Sequence, residues 1–108
     1  MIHLFVRQDV TNYEEWCFAY ERFWRNPDAH GAPIRTVYQS IDDPNDITVE
    51  HIFKNLGDAR AIIASDDLAQ AMTDAGVLGK PQIWFVECQT AWKNGQGIRE
   101  NSVENCPP

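Results

Sequence analysis

The sequence predicts an α+β domain built on one four-stranded antiparallel sheet, and three observations carry that prediction. Apolar residues alternate with period two in four stretches, while between them they recur at i, i+3, i+4 and i+7. The stretches run in the order β-α-β-β-α(α)-β, the split βαβ pattern of ferredoxin-like folds. The connection Asp42-Asp43-Pro44-Asn45-Asp46 is too short for a crossover, so the two strands flanking it pair as an antiparallel hairpin.

Ile2 to Gln8 alternates Ile2/Leu4/Val6 with His3/Phe5/Arg7, which gives a strand with two distinct faces. Asn12 then stands where a helix cap belongs, with Glu15 three residues on to complete a capping box. The helix from about Tyr13 to Arg25 sets Tyr13, Trp16, Cys17, Tyr20, Phe23 and Trp24 on one aromatic face. Asn26-Pro27-Asp28 ends it, because proline cannot continue a helix. After a loop through His30, Ile34 to Ile41 reads as the second strand and Ile47 to Lys54 as the third. Asn55 and Ser65 cap two short helices, and Gly76 stops the second. Gln82 to Thr90 is expected as the fourth strand, following the breakers Gly79-Lys80-Pro81, and the polar stretch 94–108 as a tail or arm beyond a domain spanning 1–93.

At 108 residues the chain is the size of one domain, and its net charge of -7 with scattered basic residues argues against nucleic acid or an anionic membrane as partner. No apolar run is long enough to span a bilayer and the N-terminus has no signal-peptide layout, so a soluble, cytoplasmic protein is expected. Cys17, Cys88 and Cys106 form no CxxC pair. Their odd count argues against a disulfide framework and a zinc site, and Cys17 and Cys88 are expected as small buried apolar residues. His3, His30 and His51 have no metal-ligand spacing, and Asp42, Asp43 and Asp46 read as turn formers; no metal and no cofactor are expected. The strands carry apolar residues in both parities, so the sheet face away from the helices needs a cover. A second copy of the sheet, in a homodimer, is the simplest one.

Several segments together resemble the dimeric α/β-barrel superfamily, in which two ferredoxin-like subunits pack their sheets face to face. They are Val10-Thr11-Asn12-Tyr13-Glu14-Glu15-Trp16, Val37-Tyr38 leading to Asp42-Asp43-Pro44-Asn45, Leu56-Gly57-Asp58-Ala59-Arg60-Ala61, Ser65-Asp66-Asp67-Leu68 with Ala71-Met72, and Ala75-Gly76-Val77-Leu78-Gly79. Within that superfamily the chain is similar to small antibiotic-biosynthesis-monooxygenase-like and cyclase-like proteins. Where many of these carry a histidine and a basic residue after the first strand, this chain has Gln8-Asp9, so that histidine's role does not transfer. No histidine lies between Asn55 and Gly79, where a haem-degrading relative would supply its axial ligand.

The resemblance implies a pocket between the first helix and the sheet for a small hydrophobic or aromatic ligand. Tyr13, Trp16, Tyr20, Phe53 and Trp84 are the candidate substrate-binding residues, with Phe5 and Trp24 beside them, although the same aromatics would serve equally as core. His51, His3 and Arg7 are the candidate catalytic residues. A histidine could take a proton from an acidic carbon or phenol, and Arg7 could hold the resulting anion, while Glu50 or His51 could face His3 across the central strands. This arrangement would suit a cofactor-independent monooxygenase or cyclase acting on an aromatic or polyketide-like molecule. The alternative is a non-catalytic binding or stress-associated module.

Overall fold

A computed structural model of the protein describes residues 1–25, 34–93 and 95–99; the loop at His30, Cys106 and most of the expected tail lie outside them. Its elements are β1 (Ile2–Val10), α1 (Tyr13–Trp24), β2 (Ile34–Gln39), β3 (Asp46–Phe53), α2 (Leu56–Ile63), α3 (Asp66–Asp74), β4 (Val77–Val86), β5 (Thr90–Lys93) and β6 (Gln96–Arg99). β1 to β4 form an antiparallel sheet in the order β2-β3-β1-β4, and β5 pairs with β6 as a separate hairpin. This is the ferredoxin-like arrangement, with β1 and β3 as central neighbours.

Local chemistry sets the ends of the helices. Asn12 Oδ1 accepts from the Glu15 backbone N–H at 3.0 Å, Asn55 from Asp58 at 2.8 Å and Ser65 Oγ from Leu68 at 3.1 Å. The Asp-Pro-Asn turn does more than join strands. Asn45 Oδ1 accepts from the first helical N–H of α1, at Tyr13, while its backbone carbonyl accepts from Val10 N–H at 2.9 Å. The turn that closes the β2–β3 hairpin therefore satisfies a donor that α1 would otherwise leave open.

The helices cover one face of the sheet. Leu4, Val6 and Val10 of β1 and Ile47, Val49 and Phe53 of β3 meet Trp16, Trp24, Ala59, Ile62 and Ala75 in a single core. α3 is the loosest wall: none of its residues is fully buried, and Leu68 and Met72 are only partly covered.

β4 differs from the expected Gln82–Thr90. It begins at Val77 and ends at Val86, because the breakers Gly79-Lys80-Pro81 sit inside it as a bulge. Arg7 pairs with Gln82 and Asp9 with Leu78, so three residues of β4 oppose Gln8 alone. β4 is an edge strand, where a proline and a left-handed glycine (Gly79, φ 67°) are tolerated. Cys88 is half-buried and disulfide-bonded, which corrects the expectation of a plain buried thiol; Cys17 is free.

Gly76 ends α3 at φ 82°, and a Cβ there would lie 2.5 Å from Thr11 Oγ1, on the residue whose N–H bonds the Gly76 carbonyl. Gly79 has a similar φ and open space around it. Gly79→Ala should therefore cost only backbone strain, about 1 kcal/mol, and Gly76→Ala roughly 2 kcal/mol or more. Urea denaturation of both variants checks this. Equal losses would show that the Thr11 contact relaxes freely.

Candidate functional site

The register of β1 against β3 divides the candidate residues between two faces. Leu4 pairs with His51, Val6 with Val49 and Gln8 with Ile47, and these side chains point to the helices. His3 pairs with Ile52, Phe5 with Glu50 and Arg7 with Thr48, and these point the other way. His51, Trp16 and Tyr20 consequently line one cleft between sheet and helices. His3, Arg7 and Trp84 lie on the opposite face and are not brought to them. Phe53 is buried core with its ring 6.4 Å from that of His51, and Tyr13 stacks on Trp16 at 6.1 Å outside the cleft lining.

The cleft is narrow, with about 40 Å³ of free volume, room for about three waters or one diatomic molecule. Its floor is Leu4, Val6, Gln8, Val49 and His51; Trp16, Tyr20 and Trp24 of α1, with Ile62, Leu68 and Met72 of α2 and α3, close over it. His51 is 4% exposed, with the Trp24 ring edge-on at 4.5 Å. Its Nε2 lies 2.9 Å from Tyr20 Oη, and its Nδ1 is buried without a partner.

That hydrogen bond joins two groups that are both uncharged at neutral pH. Burial pushes the Tyr20 phenol up to about 12, so it keeps its proton. The Arg35 guanidinium lies 5.8 Å from the Tyr20 ring centre and 5.6 Å from that of Trp24, and its positive charge opposes the upward shift of the phenol. Burial, and then the Arg35 charge, push His51 down to about 4, so the ring is neutral and carries a single proton, on Nδ1 when Tyr20 donates to Nε2 and on Nε2 when Tyr20 accepts from it. Either way, Nδ1 has no partner among the described residues.

The other face carries a different set. His3 Nδ1 lies 2.8 Å from Glu50 Oε2, both residues being buried, and Tyr38 O–H donates to Glu50 Oε1 at 3.3 Å. Arg7 makes a two-point bond with Asp46 at 3.1 and 2.7 Å, which raises the guanidinium pKa and lowers that of the carboxyl. Phe5 and Trp84 stack at 5.5 Å beside them. Among the described residues no group of His, Cys, Asp or Glu is placed to hold a metal ion, and no helix is long and apolar enough to cross a membrane.

Sequence reasoning missed Gln8 and Arg35. Gln8 continues the Ile2/Leu4/Val6 parity, and that alternation would have placed it on the core face. Arg35 shares the parity of Val37, but assigning it to His51 needs the β2–β3 register.

The ferredoxin-like fold is one that this chain shares with solved structures of antibiotic biosynthesis monooxygenases. The chain is similar to SnoaB of Streptomyces nogalater, a cofactor-independent oxygenase, at 13% identity with a TM-score of 0.68, covering 83% of this chain and 94% of that one. An antibiotic biosynthesis monooxygenase matches at 6% identity and TM-score 0.65, over 82% of this chain and 98% of its own. A conserved protein from Methanosarcina mazei Go1 matches at 17% identity and TM-score 0.63, over 79% and 89%. No family model and no curated protein matches the sequence. Identities this low establish a shared fold.

The buried imidazole makes stability depend on pH. The unfolded chain takes up a proton near pH 6.5 and the folded one only near 4, so the unfolded state binds more protons between those values. The fold is therefore at full strength above about 6.5 and loses about 3 kcal/mol as pH falls to 4. Urea denaturation of wild type and His51→Leu from pH 7 to 4 should show this loss as the difference between their slopes. Parallel curves would contradict a neutral, buried His51.

Proposed function

We propose that the protein is a small cofactor-independent enzyme of the oxygenase or cyclase kind. It acts on an aromatic or polyketide-like ketone in the cleft between α1 and the sheet. One observation carries this reading: the buried Nδ1 of His51, without a partner among the described residues, on the wall of an apolar cleft with Tyr20 at the other ring nitrogen. A ring held neutral down to about pH 4 is a weak base, and Tyr20 occupies its other nitrogen. In this reading Tyr20 donates its O–H to Nε2, and His51 serves through its Nδ1–H as a hydrogen-bond donor to a carbonyl oxygen, in place of the base role expected from sequence.

A donor fixed in an apolar site stabilises the oxyanion of an enolate, whose acidic α-proton passes to water as the enolate forms. Charge gathering on that oxygen is answered through the imidazole by the Tyr20 O–H, and behind it by Arg35. The enolate carbon then attacks a second carbonyl in a cyclisation, or gives its electrons to O₂. For a substrate CH₂ the overall oxygenation is R₂CH₂ + O₂ → R₂C=O + H₂O, with all four electrons drawn from the substrate. An organic substrate is larger than the resting cleft, and α3, which buries no residue fully, is the wall that gives way. The narrow cleft also favours a second reading, a binding module that holds its ligand without turning it over.

His51→Leu should lower kcat for an enolisable polycyclic ketone about 100-fold, and Tyr20→Phe about tenfold, read as O₂ uptake and product formation. Unchanged rates in both variants would sink the assignment. Tight binding without turnover by wild type would favour the binding module.

We also propose that the protein works as a homodimer, its second copy covering the face that exposes Ile34, Tyr38, Trp84 and Val86. Light scattering should give roughly twice the chain mass of 12.4 kDa, and Trp84→Lys should shift it toward monomer. A monomeric wild type would contradict this.

A further inference from the structure

Gln8 and His51 stand at opposite ends of the same cleft floor, and each presents a buried atom that this chain leaves without a partner, Gln8 Oε1 and His51 Nδ1. Both residues are more than nine-tenths buried, at 6% and 4% exposure. Gln8 pairs with Ile47 and His51 with Leu4, so the two positions are about 13 Å apart at the rise of an antiparallel strand. The floor between them is Leu4, Val6 and Val49, all buried and apolar. Buried polar atoms almost always find a partner, so two orphans on one floor mark where something outside this chain completes the bonds.

The two ends differ in polarity. Gln8 Oε1 can only accept, and His51 Nδ1 donates in the tautomer proposed above, with the Tyr20 O–H donating to Nε2. We propose that the cleft reads a flat, elongated molecule from both ends, a carbonyl oxygen against His51 Nδ1–H and a hydroxyl against Gln8 Oε1, with Gln8 as a specificity-determining residue. This rests on the reading of the cleft as the substrate site. The apolar floor takes the body of the molecule, and a ligand lacking the hydroxyl leaves Gln8 unpaired and is discriminated against. Gln8 lies opposite the β4 bulge and also borders an open groove of about 280 Å³ lined by Arg7, Asp9, Lys80 and Gln82. The hydroxyl end is thus the one beside solvent, and the ketone end is the deep one.

The probes are two fluorescent ketones of matched shape, 6-hydroxy-2-acetonaphthone and its 6-methoxy analogue, titrated into wild type, Gln8→Leu, Gln8→Met and His51→Leu. Wild type should bind the hydroxy ketone about tenfold more tightly than the methoxy ketone. Both Gln8 variants remove an unpartnered amide from apolar surroundings, so they should fold, and they should bring the ratio to about one. His51→Leu should weaken both ketones alike and keep the ratio. A preference that survives in both Gln8 variants, while His51→Leu still weakens both ketones, overturns the role of Gln8 alone. Binding that ignores His51, or no binding of either ketone, overturns the cleft as substrate site and this inference with it.

Discussion

The pairing of β1 with β3 is the constraint on which the rest of the structure depends. These are the two central strands, and side chains alternate along each, so one register fixes the company of every residue they carry. With Leu4 opposite His51, the histidine joins Val49, Val6 and Gln8 under the helices, and Glu50 turns to His3 on the other side. A slip of one residue on β3 would exchange His51 for Glu50 beneath Trp24 and bury a carboxylate among aromatic rings. The apolar residues enforce the register, since Ile47, Val49 and Phe53 must all reach the core that His51 shares. The chemistry of the cleft is in that sense a consequence of packing.

Burial then does to His51 what a neighbouring charge does in many other sites. Desolvation removes the charged form, Arg35 reinforces the effect, and Tyr20 claims one nitrogen. What remains is a neutral imidazole held by Tyr20 in largely apolar surroundings, where a hydrogen bond to a ligand counts for more than it would in water. The same low polarity makes Gln8 Oε1 and His51 Nδ1 costly while unpaired, about 1–3 kcal/mol each. A domain of this size has only a modest margin of stability to spare, so retaining two such groups on one floor is a physical argument for a ligand.

Features set by neighbours in the chain were legible in the sequence. Asn12, Asn55 and Ser65 cap the helices foreseen for them, Gly76 stops α3, and the Asp-Pro-Asn turn closes the hairpin, because each depends on bonds spanning a few residues. The aromatic face of α1 followed from its periodicity for the same reason. What depends on register was not legible: β3 carries apolar residues in both parities, so nothing local assigns His51 to a face, whereas on β1 the Ile2/Leu4/Val6 set marks the core side and leaves His3 on the other. β4 was misplaced because Gly79 and Pro81 read as the end of a loop, whereas an edge strand can hold them in a bulge. The disulfide at Cys88 was not legible because three cysteines without a CxxC pair offer no spacing that assigns it.

The most direct test of the central claim is the protonation state of His51, read from the ¹⁵N shifts and couplings of its ring in selectively labelled protein. The account predicts a neutral ring protonated on Nδ1 from pH 8 down to about 5, with Nε2 shifted by a hydrogen bond that Tyr20→Phe removes. A ring that carries its proton on Nε2, or that titrates near pH 6.5, would contradict it.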